Sequence, residues 1–230
     1  MNPDLMTNHM VGVFYFKNGY MIGLFIDKAG ICKVSAKIEK GQTRRDGASF
    51  RREQGYQGGC KLNIYLIGFM GTGKSTLGRV LSQRIGWPWI DTDQEIVKRQ
   101  NRTIPEIFAS EGEAYFRDRE TELLKELALR KRILVTTGGG MVLRSENREL
   151  MRKSGIVISL TADRNVIRDR VARQGNRPLL AGDELEQRID RLLKERAELY
   201  NEADIQIDTT SGDIDAAVRE LLANPAFPLR

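Results

Sequence analysis

The stretch Leu62–Thr76, LNIYLIGFMGTGKST, restricts what this 230-residue chain can fold into more than any other. Ile64-Tyr65-Leu66-Ile67 is an apolar run of β-formers, long enough for one buried strand. Gly68-Phe69-Met70-Gly71-Thr72-Gly73-Lys74-Ser75 then fits the pattern G-x-x-x-x-G-K-[ST], and from Thr76 to Leu81 apolar residues fall at helical spacing. Strand, glycine loop and helix, in that order, are the context in which this pattern cradles phosphate. Glycines let the backbone approach an anion closely. The N–H groups of the loop, Gly71 to Thr76, then converge on the positive end of a helix dipole. Lys74 adds a mobile charge near the β- and γ-phosphates, and the Ser75 hydroxyl offers a ligand to Mg²⁺. The plain alternative is a glycine-rich turn between core elements.

The rest of the composition narrows the chemistry. The only histidine is His9, far from the loop in sequence. The loop-bearing part therefore cannot use a histidine base, a Ser-His pair or a His-metal site. Phosphoryl transfer needs only carboxylates, Arg, Lys and backbone N–H groups. Cys32 and Cys60 are the two cysteines. Without C-x-x-C spacing they favour neither a disulfide scaffold nor a zinc site, and they fit a reducing cytoplasm. No apolar run approaches the length of a membrane span, and the N-terminus lacks the layout of a signal peptide. Net charge is +6; residues 1–60 carry nine basic and five acidic side chains, the remainder twenty-eight and twenty-six. The later part is nearly balanced, which suits anionic small molecules and gives no nucleic-acid stripe.

Residues 1–60 differ from the rest of the chain. Val11–Phe16 and Tyr20–Ile26 are apolar and aromatic around Lys17-Asn18-Gly19, a hairpin signal. Ile31–Ile38 alternates and reads as a third strand. Gly41–Gly59, with Arg44, Arg45, Arg51 and Arg52, reads as a basic disordered linker. Three such strands would be marginal alone. A second reading stays open: no Met occurs between Met21 and Met70, so a rarer start codon at Leu62 would make residues 1–61 a misassigned upstream extension.

From residue 61 onward strands alternate with helices, which implies a parallel sheet covered on both faces. After the loop helix, ending near Ile85, Trp87–Ile90 leads into Asp91-Thr92-Asp93. Helices are expected at Gln94–Arg99, Ile104–Ala109 and Ala114–Leu129. Ile133–Thr137 and Ile156–Leu160 read as strands, the first ending in Gly138-Gly139-Gly140. A helix at Arg164–Ala172 precedes a polar, Gly/Pro-containing stretch, Gln174–Glu184, that reads as a mobile loop. Leu185–Tyr200 (helix), Ile205–Ile207 (strand) and Ile214–Leu222 (helix) close the chain. Ligands of such sheets sit beyond the carboxyl ends of the strands, so the loop, Asp91/Asp93 and the triple glycine should meet on one edge.

Each of these positions has a chemical reading and a plain one. One carboxylate of Asp91-Thr92-Asp93 can reach a Mg²⁺ shell while the other accepts from a substrate hydroxyl; Asp91 or Thr92 can equally be a helix N-cap. Arg117 can be a surface partner of Glu113. Three glycines after a buried strand can be a turn, or can expose N–H groups to a carboxylate or hydroxyl. Arg177, in Asn176-Arg177-Pro178-Leu179-Leu180, can swing over a transferring phosphate as an arginine finger in cis or stay in solvent. Arg196 can be a solvated helix position.

Together these residues closely resemble the shikimate kinases. The shared features are the loop Gly68–Ser75, Asp91-Thr92-Asp93, Phe116-Arg117, Gly138–Gly140, the Arg177–Leu180 lid and Arg196 before Leu199-Tyr200. The resemblance covers about Leu62 to Leu222. It implies a three-layer fold of the nucleoside-monophosphate-kinase type, with five parallel strands and a mobile lid. It also implies a Mg²⁺-dependent transfer from ATP to the 3-hydroxyl of shikimate, on the way to chorismate and the aromatic amino acids. By resemblance, Lys74, Asp93 and Arg177 are catalytic, and Ser75 and Asp91 serve the metal. Asp93, Arg117, Gly138, Gly139, Gly140 and Arg196 hold shikimate, the two arginines as a bidentate carboxylate clamp. Gly71, Thr72, Gly73, Lys74, Ser75, Thr76, Arg170 and Arg177 hold ATP, with Arg170 stacking on adenine. A cytoplasmic monomer without nucleic-acid or membrane partners is implied. Two other readings remain: a gluconate kinase-like enzyme on the same scaffold, and a sensor domain fused to a DNA-binding segment.

Overall fold

The computed structural model describes residues 11–17, 20–26, 32–37, 63–173 and 183–227. The chain divides into two compact units, Met1–Lys61 and Leu62–Arg230. In the first, β1 (Val11–Lys17), β2 (Tyr20–Ile26) and β3 (Cys32–Lys37) make an antiparallel sheet in sequence order. Lys17 pairs with Tyr20, the register that a two-residue connection at Asn18-Gly19 requires. β3 falls within the third strand expected at Ile31–Ile38, whose two end residues lie outside the described residues. The linker expected at Gly41–Gly59 lies outside the described residues.

The second unit runs β4 (Asn63–Gly68), α1 (Lys74–Ile85), β5 (Trp89–Asp91), α2 (Thr92–Gln100), α3 (Ile104–Ala128), β6 (Leu134–Thr136), a 3₁₀ turn (Met141–Leu143), α4 (Ser145–Ser154), β7 (Gly155–Thr161), α5 (Arg164–Arg173), α6 (Asp183–Asn201), β8 (Ile205–Asp208) and α7 (Ile214–Ala223). Its strands form one parallel sheet in the order β5-β6-β4-β7-β8. The strand feeding the glycine loop is therefore central and covered on both faces. Its side chains alternate between two cores, as the period of a strand requires. Ile64 and Leu66 pack with Leu77 and Leu81 of α1 and Val218 and Leu221 of α7. Tyr65 and Ile67 pack with Leu123 and Leu124 of α3 and Met151 of α4. All of these are at most 2% exposed, so α1 is seated by close-packed apolar contact on both of its neighbours.

Two local differences from the sequence expectation lie at α4 and at the start of α6. The helices expected at Ile104–Ala109 and Ala114–Leu129 are the two helical stretches of α3, separated by a kink at Gly112, whose φ of 82° and ψ of 170° are not helical. Thr103 and Glu106 close its N-terminus with a reciprocal capping box. α4 was not anticipated: of its ten residues only Leu150 and Met151 are strongly apolar. Its inward face is completed by buried Asn147 and Ser154, which bond Met141 O and Tyr65 Oη. α6 begins at Asp183, inside the stretch expected to be loop. Residues 174–182, with Arg177 and the rest of the expected lid, lie outside the described residues.

Candidate functional site

The glycine loop joins the end of β4 to the start of α1. Gly71 and Gly73 have φ of 80° and 86°, which L side chains rarely adopt. Gly73 is the N-cap of α1, with no side-chain cap and no acidic residue in the first turn. The positive end of this helix is left to whatever anion enters the loop. Lys74 donates from Nζ to Gly68 O and Phe69 O, both at 2.8 Å. The ammonium is thus held over the loop where phosphate would lie. Thr72 is buried, and its hydroxyl and N–H both go to Phe69 O, so its side chain shapes the loop. Ser75 and Thr76 are exposed on the first turn of α1.

Asp91 is the helix N-cap that its plain reading expects. Oδ1 accepts from Gln94 N as the N-cap of α2. Oδ2 accepts from the Ser75 hydroxyl at 2.7 Å and from Thr136 at 2.9 Å. The two residues expected to serve the metal are therefore side by side. Among the described residues no three acidic, His or Cys side chains converge into a metal cage. That donor set suits Mg²⁺, which keeps waters and phosphate oxygens and takes one or two protein oxygens.

Arg170 of α5 donates to Gly71 O at 3.2 Å and Thr209 O at 2.7 Å. Thr209 in turn donates to Thr72 O. The segment after β8 is thereby tied to the back of the loop, with Arg170 between them.

The triple glycine follows β6 and collects the remaining groups, one glycine at a time. A Cβ on Gly138 would lie 2.4 Å from Asp93 Oδ1 and 2.8 Å from Glu120 Oε1. Gly139 O accepts from Arg196 Nη1 at 3.2 Å and from Tyr200 Oη at 2.7 Å. A Cβ on Gly140 would sit 2.4 Å from both terminal nitrogens of Arg117. Any side chain there would evict the guanidinium. The same turn borders the glycine loop: a Cβ on Gly139 would be 3.6 Å from Gly68 O and Met70 N. Arg117 also makes the helical pair with Glu113, at 2.7 Å, as the plain reading of that arginine expects. Burial works against its charge, but Glu120 and Glu113 outweigh it and raise its pKa. Arg196 Nε is buried with no hydrogen-bond partner among the described residues, a donor suited to an incoming carboxylate.

Two residues of this site escaped the sequence reading. Tyr200 is buried; burial raises its phenol, with Arg196 pulling the other way. Glu120 is fully buried and accepts from Arg117 Nη1 at 2.7 Å. In sequence it looks like any helical partner three residues from an arginine. Burial pushes its carboxyl up to about 7, against the pull of Arg117, with Asp93 adding to the rise. A carboxyl whose folded pKa exceeds its ordinary 4.5 holds its proton more tightly folded than unfolded. Its contribution therefore falls as pH rises from about 4.5 to about 7 and is flat above. Glu120→Gln mimics the protonated form. Between pH 5 and 7 the native protein should lose stability relative to this variant, by an amount on the order of 2 kcal/mol. Urea unfolding of both proteins across that range reads the difference, and parallel curves would remove Glu120 as the cause.

Comparison with known proteins bears on this arrangement. The sequence profile of the shikimate kinase family matches residues 70–224. A shikimate kinase of Pelotomaculum thermopropionicum is 46% identical over 160 residues, 70% of this chain and 93% of the relative. One from Bacillus cytotoxicus is 45% identical over 159 residues, 69% and 95% of the two chains. Among solved structures, the chain is similar to the shikimate kinase of Acinetobacter baumannii in complex with shikimate. That likeness has a TM-score of 0.66 and 42% identity, covering 70% of this chain and 90% of the other. The Aquifex aeolicus shikimate kinase gives 0.62 and 37%, covering 70% and 94%.

Proposed function

The chain belongs to the shikimate kinase family, and on that footing we propose how its residues divide the transfer of a phosphoryl group from ATP to shikimate. The enzyme phosphorylates shikimate to 3-phosphoshikimate, in the pathway to chorismate and the aromatic amino acids. One observation supports the division of labour above the others. Three successive glycines, Gly138–Gly140, stand against Asp93, Arg196 and Arg117 in turn, and the same turn borders the glycine loop.

Arg117 and Arg196 take the substrate carboxylate, because planar guanidinium forks match it in bidentate fashion. The N–H groups of Gly139 and Gly140 complete the cradle, while that of Gly138 donates to the Thr92 hydroxyl at 3.1 Å and shapes the turn. Asp93 orients the 3-hydroxyl and accepts its proton as the oxygen attacks the γ-phosphorus. The bond from that phosphorus to the β,γ-bridging oxygen breaks, and ADP leaves. Lys74 turns from the Gly68 and Phe69 carbonyls to the β- and γ-phosphates. Gly71, Gly73, Ser75 and Thr76 present backbone N–H groups, and Arg170 lies on the adenine side. Arg177, outside the described residues, is assigned to the charge on the transferring group, as an arginine supplied in cis. Ser75 and Asp91 would hold Mg²⁺, whose chemistry there is to neutralise charge on the β- and γ-phosphate oxygens. Catalysis on this account is positioning and charge neutralisation in a water-poor site.

The reading takes residues 61–230 as the whole catalytic body. It takes the working species to be a cytoplasmic monomer without nucleic-acid or membrane partners; no helix among the described residues is long and apolar enough to cross a membrane. ADP release measured with shikimate and with gluconate tests the substrate assignment. Turnover is expected with shikimate, with the new phosphate on its 3-oxygen by NMR. Turnover with gluconate and none with shikimate would contradict it.

A further inference from the structure

Strand register brings Thr136 of β6 directly beside Asp91 of β5. Thr136 is 1% exposed. Its hydroxyl oxygen lies 3.1 Å from Trp89 Nε1 and 2.9 Å from Asp91 Oδ2. An indole N–H can only donate and a carboxylate can only accept. The direction of the chain is therefore fixed: Trp89 donates to Thr136, and the one proton of Thr136 points at Asp91. Asp91 Oδ2 thus receives two hydroxyl protons, from Thr136 on the sheet and from Ser75 on α1, while Oδ1 is tied to Gln94 N. The carboxylate cannot rotate without breaking one of these bonds. Helix α1 is pressed onto the same pair. A Cβ on Gly78 would come within 2.5 Å of Thr136 Cγ2 and 2.9 Å of Trp89 Nε1, so only glycine lets Ser75 and Asp91 meet at this spacing.

We infer that Thr136, held by Trp89, is a positioning residue that fixes the Asp91 carboxylate for the divalent cation of the nucleotide. The inference rests on the assignment of that cation to Ser75 and Asp91 above. Partners that orient metal-binding carboxylates typically matter by tenfold or more in metal affinity. Thr136→Val keeps the shape of the side chain and removes the hydroxyl; Thr136→Ser keeps the hydroxyl. The readout is Mn²⁺ binding to the ADP complex of the full chain, by electron paramagnetic resonance, beside the shikimate KM.

Thr136→Val should weaken Mn²⁺ about tenfold and leave the shikimate KM unchanged within about twofold, and Thr136→Ser should bind Mn²⁺ as the native protein does. Trp89→Phe, which frees the hydroxyl to turn, should weaken Mn²⁺ by about threefold and stands in if the valine variant does not fold. Native Mn²⁺ affinity in Thr136→Val, or equal loss in the serine and valine variants, would overturn the inference. Ser75→Ala separates this from the metal assignment beneath it: if that variant also binds Mn²⁺ normally, the assignment itself fails. If Ser75→Ala loses the ion while Thr136→Val keeps it, only the role of Thr136 fails.

Discussion

Lys74→Met lowers kcat by at least about a thousandfold and leaves the protein folded. The magnitude comes from removing a fixed positive charge beside the transferring phosphoryl group, where such groups are worth three or more orders of magnitude. The fold is spared because the ammonium bonds Gly68 O and Phe69 O on the loop itself. Losing two partly buried hydrogen bonds costs about 1–2 kcal/mol, while the packing of β4 and α1 rests on Ile64, Leu66, Leu77 and Leu81. Single-turnover kinetics beside a thermal melt separates the two effects. A kcat within tenfold of native would place the ammonium outside the transition state.

Arg117→Ala raises the shikimate KM by about a hundredfold and the ATP KM by less than about threefold. Removing one arm of a buried bidentate carboxylate clamp costs on the order of 3 kcal/mol. The glycine loop and Arg170, proposed to hold ATP, are left untouched, since Arg170 bonds Gly71 O and Thr209 O. The variant would strand the buried Glu120 without its main cation, ordinarily a severe penalty. Glu120 already holds its proton to about pH 7; without Arg117 its affinity for that proton rises further, and the neutral acid is tolerated. The variant should therefore fold at neutral pH and weaken above it. Equal loss of affinity for both substrates would remove Arg117 from the clamp.

The elements that were legible in the sequence are those whose signal is local. The apolar run at Ile64–Ile67, the glycines at 68, 71 and 73 and the N-cap at Asp91 each act within a few residues of themselves. The order of strands and helices came from their periodicity. What escaped was set by distant partners. α4 has few apolar residues because Asn147 and Ser154 bury their polar groups against Met141 O and Tyr65. Glu120 is distinguished from any other helix glutamate only by the Gly138–Gly140 turn closing over it. Tyr200 and Thr136 take their meaning from Gly139 O and from Trp89, groups far from them in sequence. Gly112, with its non-helical φ and ψ, separates the two helical stretches of α3 where the sequence expected one helix to end and the next to begin.

The central claim is spatial: nucleotide phosphates in the loop Gly68–Ser75, and an acidic ring held across from them by Arg117 and Arg196. A crystal structure of the complex with shikimate and a non-hydrolysable ATP analogue measures this directly. The account predicts both guanidinium groups within hydrogen-bond distance of the shikimate carboxylate, with the 3-hydroxyl between Asp93 and the γ-phosphate. Shikimate bound elsewhere, with Arg117 still engaged only by Glu113 and Glu120, would contradict it.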